Sequence, residues 1–412
     1  MISYQEALGI ILAESAVRGR RSVPLHAAAG HISAEALHAR LDVPAFANAA
    51  MDGYAVAAAD TAKASEQQPL ILPVAGSVAA GLAPFRATAG STWEIMTGAP
   101  VPAGLDAVVP VERIAEHVPG GPTPTTIRLL QPAQPGQNVR QMSEDFRRGD
   151  LVVKAGTRLA PHHLMGLAAC GLDEVSVCET PRVAILTTGS ELASSGSTLR
   201  HGQIRDANGP YLHALLAHLG IAGGTHGTAA DTVTALRDEL AQLADGCELL
   251  LTTGGVSAGR LDLVPDVVRA LGGEILFHKV AIRPGKPILY ARLPGGKHLF
   301  GLPGNPLAVA VGMRFFVMPA LRALQGMAQE VFTPAICDEA VRSRGKLRFF
   351  AKAHRTVDPE ARSRVQILPG QESFRIGSLL KANCWAVIPE GNELLPAGST
   401  VLTAPLYPDD AP

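Results

Sequence analysis

The chain begins with a pattern of apolar and polar positions that is typical of a helix. Ser3 and Glu6 have the spacing of a capping box, in which each side chain bonds the backbone N–H of the other. Apolar residues follow at positions 7, 8, 11 and 12, which is helical periodicity. We therefore predict a short N-terminal helix whose apolar face is buried.

Residues 40–140 have a different pattern, with short apolar runs separated by turn residues such as the Pro119-Gly120-Gly121-Pro122 loop. This pattern predicts a β-rich region. A bridging segment follows, with a short strand at Leu151–Val153 and a helix at His162–Cys170. His162 and His163 are adjacent and cannot share a helix face, so we interpret them as part of a helix start, not as metal ligands. The strands predicted in the β-rich region are Leu70–Val74, Thr92–Met96, Ala107–Val111 and Thr126–Leu130.

From Arg182 onward, strand-like and helix-like segments alternate, which indicates a doubly wound, mostly parallel sheet covered by helices. The apolar segment Pro306–Leu324 is interrupted by Arg314 and Pro319, so we expect a buried helix and not a membrane span. The predicted strands are Arg182–Thr187, Leu249–Thr253, Glu274–Ala281, Ile288–Arg292 and His298–Leu302. The predicted helices are Pro210–Leu219, Thr232–Leu243, Leu263–Leu271 and Pro306–Leu324.

Beyond Met327 the pattern returns to short strands, which predicts a small C-terminal β domain. The fold class predicted for the whole chain is therefore multidomain α/β plus β. A β-rich N-terminal domain and a bridging segment precede the α/β unit. The C-terminal strands are predicted at Phe349–Val357, Arg364–Leu368, Cys384–Ile388 and Thr400–Leu406.

Composition narrows the possible functions. The chain of 412 residues has 36 Lys plus Arg and 37 Asp plus Glu, so no global field favours nucleic acid or an anionic membrane. Aromatic residues make up only 4%, which argues against a stacking platform for single strands. The five cysteines form no C-x-x-C pair, and the first six residues lack a signal-peptide pattern. We expect a cytoplasmic protein with buried, reduced thiols.

Three glycine-rich turns at the ends of apolar runs carry the candidate chemistry. Backbone N–H groups at such turns approach a ligand closely, and a following helix N-terminus favours anions. Ligands of parallel α/β sheets bind at the carboxyl ends of the strands, where these turns fall. We therefore predict a site for a phosphorylated or otherwise anionic small molecule. The turns are Thr188-Gly189-Ser190-Glu191, Thr253-Gly254-Gly255-Val256-Ser257, and Arg283-Pro284-Gly285-Lys286-Pro287 with Pro303-Gly304-Asn305-Pro306.

Two common nucleotide motifs are absent from this sequence. No G-x-G-x-x-G follows the strand Arg182–Thr187, so an ordinary dinucleotide site is not supported. Gly285-Lys286 lacks the upstream glycine of a P-loop, and Pro287 stands where a P-loop has Ser or Thr.

A series of further motifs in a fixed order makes the sequence resemble the molybdopterin molybdenumtransferase family, which includes MoeA and the gephyrin E domain. The resemblance runs along nearly the whole chain. The motifs are Met51-Asp52-Gly53-Tyr54-Ala55, Met96-Thr97-Gly98-Ala99-Pro100-Val101-Pro102, Asn138-Val139-Arg140, Glu144-Asp145, Thr188-Gly189-Ser190-Glu191, Gly254-Gly255-Val256-Ser257, Arg283-Pro284-Gly285-Lys286-Pro287 and Pro303-Gly304-Asn305-Pro306.

The resemblance implies insertion of molybdate into adenylylated molybdopterin with release of AMP. It implies Mg²⁺ as cofactor, molybdate as substrate, and a homodimer with composite active sites. The molybdopterin adenylyltransferase and acceptors of the finished cofactor are implied partners. It also implies an α/β unit of molybdopterin-binding type and a barrel-like C-terminal domain. The implied domains are 1–26 with 140–178, 27–139, 179–327 and 328–412.

By resemblance, Asp262 and Glu191 are catalytic carboxylates that hold the metal ion. From the residues alone, Asp262 is equally well an N-cap, Glu191 a solvated carboxylate, and Asp231 a cap of the following helix. The resemblance also implies catalytic roles for Asp52, Thr97 and Asp145, which approach the site from the partner subunit. Alternatively, Met51–Tyr54 is only a tight turn, and Asp145 forms a surface ion pair with Arg147 or Arg148.

The remaining implied site residues bind substrate. The Arg283–Pro287 turn holds molybdate, although Lys286 by itself is also compatible with an ordinary surface lysine. Ser373 lies at the oxyanion site, and Lys346 or Arg348 supplies a further cation. The chain departs from the family at Ala308, where a serine is usual, and at residues 345–349. The substrate-binding residues are Gly254, Gly255, Ser257, Asp231, Pro303, Gly304, Asn305, Arg283, Lys286, Pro287, Ser373, Arg348 and Lys346.

Two other functions remain open at this point. One is adenylylation of molybdopterin by ATP, which a related α/β core performs. The other is a non-catalytic, dimeric pterin-binding scaffold. The β-rich flanking regions favour insertion over adenylylation, and the acidic set Asp52, Asp145, Glu191 and Asp262 argues against a scaffold. The sequence does not distinguish molybdate from tungstate, because both are tetrahedral dianions.

Overall fold

The structure is a computed structural model of the chain. It describes residues 1–17, 19–83, 85–114, 125–193, 196–221, 226–229, 232–256, 263–342, 345–391 and 394–408.

The N-terminal region is β-rich, as the apolar runs predicted. Its five-stranded sheet has the order β7-β4-β6-β5-β8, and a small ladder joins β3 to β9. Tyr54, Val56 and Ile127 pack into the core of this sheet. The strands are β1 (Arg20–Pro24), β2 (Leu37–His38), β3 (Asn48–Ala49), β4 (Gly53–Val56), β5 (Leu70–Val78), β6 (Thr92–Ile95), β7 (Ala107–Pro110), β8 (Thr126–Leu129) and β9 (Val139–Arg140), with 3₁₀ turns at Leu25–Ala27, Ala58–Thr61 and Val111–Arg113.

The bridging unit combines segments from both sides of the β-rich region. β10 (Leu151–Val153) pairs with β2, and β11 (Glu174–Cys178) pairs with β1. Helix α2 (Pro161–Ala169) contributes Leu167 to their shared core. In α2, His163 accepts a hydrogen bond at Nδ1 from the backbone N–H of Ala160, so this histidine caps the helix start, as predicted.

The first helix, α1 (Tyr4–Glu14), has the predicted capping box between Ser3 and Glu6. Its buried residues Tyr4, Ala7 and Ile11 pack into the core of the α/β unit. The N-terminal helix is therefore held by the α/β unit. The four domain ranges implied by the resemblance stay a prediction.

The central unit is a six-stranded sheet of order β15-β12-β16-β20-β19-β17. Alternate residues of β12 face two helix layers: Val183 and Ile185 pack with α1, α3 and α6, and Ala184 and Leu186 pack with α4 and α5. The elements are β12 (Val183–Thr188), β13 (Leu192–Ala193), β14 (Ile204–Arg205), α3 (Asn208–His218), β15 (His226–Ala229), α4 (Val233–Asp245), β16 (Leu249–Thr253), α5 (Val264–Ala270), β17 (Glu274–His278), β18 (Ile282–Arg283), β19 (Leu289–Leu293), β20 (Lys297–Leu302), α6 (Pro306–Gly312), a π-helical turn (Met313–Val317) and α7 (Met318–Leu324).

The sheet confirms the doubly wound prediction, with three differences in detail. β15, β12, β16 and β20 run parallel, but β19 and β17 are antiparallel at one edge. The strand predicted at Glu274–Ala281 ends at His278, because Lys279 adopts a positive φ of 72° that breaks the ladder. The strand β15 was not predicted.

The segment Pro306–Leu324 forms continuous helix through α6, the π-helical turn and α7. By length and composition it could cross a membrane, but 83% of its most apolar window is buried inside the protein. The buried helix predicted for this segment is therefore confirmed. Arg314, which interrupts it, pairs with Glu330 at 2.7 Å.

The C-terminal strands close into a barrel. The ladder runs β23-β24-β21-β27-β25 and returns from β25 to β23, while β18 of the α/β unit joins β23 as an additional parallel strand. Ala351, Val365 and Ala386 lie in the barrel core. The strands are β21 (Thr333–Cys337), β22 (Val341–Arg342), β23 (Arg348–Val357), β24 (Ser363–Ile367), β25 (Cys384–Ile388), β26 (Leu394–Leu395) and β27 (Thr400–Pro405), with a 3₁₀ turn at Leu379–Lys381.

Candidate functional site

The carboxyl ends of three adjacent parallel strands converge at one edge of the central sheet. β12 ends at Thr188, β16 at Thr253 and β20 at Leu302, and β16 lies between the other two. The Thr188 hydroxyl donates to the Thr253 carbonyl at 3.1 Å, and the Gly254 N–H donates to the Leu302 carbonyl at 2.9 Å. These contacts tie the three strand ends together, and the turns that follow β16 and β20 line one cleft.

The turn after β16 has no room for a side chain at its first glycine. Gly254 has a positive φ of 89°, and a Cβ built there would lie 2.8 Å from the Thr188 hydroxyl and 2.9 Å from the Thr188 carbonyl oxygen. A Cβ built on Gly304 would lie 3.8 Å from the Gly254 Cα, which is ordinary van der Waals contact. The Gly254 position therefore requires glycine, and backbone instead of side chains forms the floor of the site.

A cleft of about 490 Å³ opens above these turns. It contains nine of the predicted substrate-binding residues: Gly254, Gly255, Arg283, Lys286, Pro287, Pro303, Gly304, Asn305 and Ser373. Among the described residues, six more line it: Val256, Pro284, Gly285, Ala308, Gln371 and Glu372.

Two positively charged side chains, Arg283 and Lys286, are among the described residues that line the cleft. The guanidinium of Arg283 lies 4.8 Å from the centre of the Phe349 ring, which fixes its plane at the cleft wall. Lys286 is exposed, and its backbone carbonyl accepts from the Val280 N–H at 2.9 Å, which holds the turn in place. The carboxylate of Glu372 is paired with Arg375 at 3.1 Å.

The helix start beside the cleft adds a favourable field for an anion. The long helix begins at Pro306, and the side chain of its N-cap residue, Asn305, makes no capping hydrogen bond. The Leu307 N–H donates to the Ser373 carbonyl at 3.1 Å, which brings the barrel loop against the helix. Ala308 presents a methyl group to the cleft, so among the described lining residues the hydroxyl comes from Ser373.

The predicted carboxylate Glu191 lies at the neighbouring strand end. A Cβ built on Gly189 would lie 2.7 Å from Glu191 Oε1, so the carboxylate folds back over the end of β12. Close by, Asp206 accepts hydrogen bonds from the N–H groups of Asn208 and Gly209 and starts α3. Asn208 in turn donates to the Gly304 carbonyl at 2.9 Å. Asp206 therefore fixes the turn that precedes α3.

Three predicted site residues, Asp231, Ser257 and Asp262, lie outside the described residues. The described residues contain no group of three or more His, Cys, Asp or Glu side chains suited to a metal ion. Of the predicted pair of metal ligands, the described part of the chain therefore contributes Glu191 alone.

The two predicted cations of the C-terminal domain lie outside the cleft lining. Arg348 pairs with Glu390 at 2.8 Å, and its guanidinium stacks over Tyr4 at 4.9 Å from the ring centre. Lys346 is exposed. These contacts give Arg348 a structural role between the barrel and the N-terminal helix.

Asp52 and Thr97 form a second, separate cluster in the N-terminal sheet. They lie at neighbouring ends of β4 and β6, where Gly53 is opposite Ile95. Thr97 donates to Asp52 Oδ1 through its N–H at 2.7 Å and its hydroxyl at 2.8 Å. These bonds, the backbone one first, lower the pKa of Asp52 and keep the carboxylate ionised. Asp52 therefore has a local structural role, since it accepts two hydrogen bonds from Thr97, and its catalytic role stays a prediction.

Asp145 is exposed on the adjoining loop, where its N–H donates to the Val43 carbonyl at 2.9 Å. Within the described residues it makes no ion pair with Arg147 or Arg148, which was the alternative reading of this motif.

Sequence reasoning missed two side chains that shape the cleft. His278 Nε2 lies 2.8 Å from the Val256 carbonyl and anchors the glycine turn after β16. The Gln371 amide bonds the backbone of Lys352 and holds the loop that carries Ser373. Neither residue belongs to a recognised motif, although Gln371 lies two positions before the predicted site residue Ser373.

Family models match almost the whole chain in three parts. Residues 2–171 match the MoeA N-terminal region (domain I and II), residues 184–323 a probable molybdopterin binding domain, and residues 334–406 the MoeA C-terminal region (domain IV).

Individual relatives give the same result. A molybdopterin molybdenumtransferase of Synechococcus elongatus is 36% identical, over 97% of this chain and 98% of its own length. Molybdopterin molybdenumtransferase 2 of Mycobacterium tuberculosis is 40% identical over 74% of this chain and 75% of its own. A crystal structure of the MoeA protein of Pyrococcus horikoshii superposes with a TM-score of 0.80 at 29% identity, covering 98% of this chain and 99% of that one.

Proposed function

Because this chain belongs to the molybdopterin molybdenumtransferase (MoeA) family, we propose that it inserts molybdate into adenylylated molybdopterin and releases AMP. It is a transferase of molybdenum cofactor biosynthesis. The observation that carries the proposal is the cleft itself. Glycine turns suited to a phosphorylated ligand meet Arg283, Lys286 and Ser373, which are suited to a tetrahedral oxyanion.

One half of the cleft binds the nucleotide-bearing pterin, and the other half binds molybdate. The turns at Gly254 and Gly304 offer close backbone approach to the nucleotide-bearing pterin. Arg283 and Lys286 attract molybdate, and the helix beginning at Pro306 adds its positive end. Binding both substrates in one cleft brings molybdate beside the dithiolene sulfurs, and such positioning lowers the barrier to reaction.

The proposed reaction has two balanced parts. Water cleaves the pyrophosphate linkage, which gives AMP and the phosphate of molybdopterin. The two thiols then replace one oxide of molybdate, and their two protons leave with that oxide as water. Lys286 and Arg283 stabilise the negative charge of the oxyanion during this exchange.

Magnesium is the cofactor that we propose, with Glu191 and Asp262 as its protein ligands. Carboxylate oxygens are the donors that Mg²⁺ prefers, and it would supply charge neutralisation at the pyrophosphate. Glu191 fits this role by its exposed position at a strand end.

We also propose a homodimer in which each active site takes Asp52, Thr97 and Asp145 from the other copy. In support, none of these residues lines the cleft of its own chain. Met51 and Met96, beside the Asp52–Thr97 pair, are 41% and 38% exposed, which suits a surface that a second copy covers.

The function is tested by incubating the protein with adenylylated molybdopterin, Mg²⁺ and either molybdate or tungstate, and by following AMP and bound metal. We expect AMP release coupled to metal retention. ATP consumption without an oxyanion would instead indicate an adenylyltransferase. Tight pterin binding without AMP release would indicate a scaffold.

The dimer is tested by mixing two impaired variants, Asp52→Asn and Lys286→Met, after mild dissociation and reassociation, and by assaying them at molybdate concentrations well below the KM of Lys286→Met. Composite sites in a mixed dimer contain one intact site, so about a quarter of the wild-type activity should return. Sites built within one chain would regain no activity.

A further inference from the structure

Lys352, a residue of the barrel strand β23, holds a loop of the cleft in place, and the proposed reaction gives it no role. Lys352 lies in the middle of β23 and is only 1% exposed. Its ammonium donates to the carbonyls of Gly370 at 2.6 Å and Arg375 at 3.0 Å. These two carbonyls flank the loop that carries Ser373 into the cleft.

The backbone of Lys352 holds the same loop. Its N–H donates to Gln371 Oε1 at 3.1 Å, and its carbonyl accepts from Gln371 Nε2 at 2.8 Å. A single residue therefore fixes the loop through four hydrogen bonds. On the opposite side, the Leu307 N–H holds the Ser373 carbonyl, so the loop is clamped between the barrel and the start of α6.

Burying an ammonium group in the protein interior costs free energy. Lysine is rarely this buried unless it is paired, and no ion pair joins Lys352 to a carboxylate in the described part of the chain. Burial lowers the pKa of Lys352, which is the sign of that desolvation. Methionine would fill the same volume without this cost, so packing alone does not account for the lysine.

We propose that Lys352 is a positioning residue for the oxyanion half of the cleft. It holds the carbonyls on both sides of Ser373 and thereby sets the distance between Ser373 and the opposite wall at Arg283 and Lys286. The proposal rests on the function above, because it assigns the loop to molybdate binding.

The test compares Lys352→Met with a matched control, Lys381→Met, which removes an exposed lysine of the same domain. In Lys352→Met we expect the KM for molybdate to rise about 10-fold, as for other outer-shell supports, with kcat at saturating molybdate within about 2-fold. The affinity for adenylylated molybdopterin should stay unchanged, and Lys381→Met should match the wild type.

A second readout does not depend on activity. Hydrogen exchange of residues 370–378 should quicken in Lys352→Met, while β23 and β25 stay protected. Ser378→Ala, which removes another donor to the Gly370 carbonyl at 2.9 Å, should shift both readouts less in the same direction. If Lys352→Met does not fold, Ser378→Ala decides alone.

Two results would overturn the proposal. One is a folded Lys352→Met with unchanged KM and unchanged exchange in the loop. The other is a parallel loss of kcat, pterin affinity and thermal stability, which indicates a purely structural residue. A wild-type protein that releases no AMP would contradict the proposed function instead, and the exchange comparison would still decide whether Lys352 positions the loop.

Discussion

The cleft and the Asp52–Thr97 pair are built in opposite ways. The cleft gathers segments that are far apart in sequence, from Gly254 to Ser373, and much of its surface is backbone. The pair comes from two adjacent strand ends of one sheet, and two hydrogen bonds define it. A substitution that disturbs packing in the cleft should therefore lower both stability and activity. A substitution in the local pair should lower activity and leave the rest of the fold unchanged.

The largest effect should come from Gly254→Ala, because the new methyl group meets the Thr188 backbone and the residue must keep its positive φ. We expect the free energy of unfolding to fall by about 3 kcal/mol. The measurement is denaturant unfolding together with AMP release. Gly81→Ala is the matched control, since Gly81 has the same φ of 89° with open space around it. That control should lose about 1 kcal/mol; equal losses in both variants would show that close approach is unimportant at Gly254.

Lys286→Met should come next, with the fold intact. Loss of one charge-assisted contact should raise the KM for molybdate about 30-fold while the melting temperature stays unchanged. Steady-state AMP release at varied molybdate measures this, with the exposed Lys154→Met as control. An unchanged KM would remove Lys286 from the oxyanion site.

Asp52→Asn should have a smaller effect on turnover, about 10-fold, since an amide still accepts from Thr97 but carries no charge. Molybdate binding measured by equilibrium dialysis should stay at the wild-type level, because Arg283, Lys286 and Ser373 form the oxyanion half of the cleft and Asp52 is assigned to turnover. Weakened molybdate binding in a folded Asp52→Asn would contradict the separation of the two regions.

The smallest effect should be the acid dependence of stability. The Asp52 pKa is lowered in the folded state, so the stabilisation is present above the unfolded value of about 3.9 and is lost as pH falls through the lower folded value. Wild type and Asp52→Asn should therefore converge in stability below that pH. Acid titration of the unfolding midpoint checks this, and parallel curves would show that the Thr97 bonds do not favour the ionised form.

The sequence was sufficient to predict the fold class, the carboxyl ends of β16 and β20, and nine residues of the cleft lining. Glycines at 254 and 304 mark places where parallel strands stop, and parallel strands place their carboxyl ends at one edge. Hydrophobic periodicity gives no strand direction, so the antiparallel edge of β17 and β19 was not foreseen. The strand β15 was missed because its sequence, His226–Ala229, lacks the alternation of apolar and polar residues that predicts a strand.

Contacts between distant segments explain the remaining differences. Nothing in the local sequence distinguishes Lys352 from a solvated lysine, because its burial depends on the distant loop that carries the Gly370 and Arg375 carbonyls. Arg348 likewise matched the expected cation of the oxyanion site. The structure instead places it between Glu390 and Tyr4, a set of contacts that spans most of the chain.

The strand β18 belongs to two units at once, since it carries Arg283 of the cleft and extends the barrel sheet beside β23. A chimera that exchanges the barrel between relatives therefore also exchanges the surface on which the Arg283 guanidinium rests, at Phe349. A chimera joined at the end of α7 would combine Phe349 and Ser373 from one parent with Arg283 and the glycine turns from the other. A transplant that includes residues 279–287 together with the barrel would keep both sides of the pocket from the same parent.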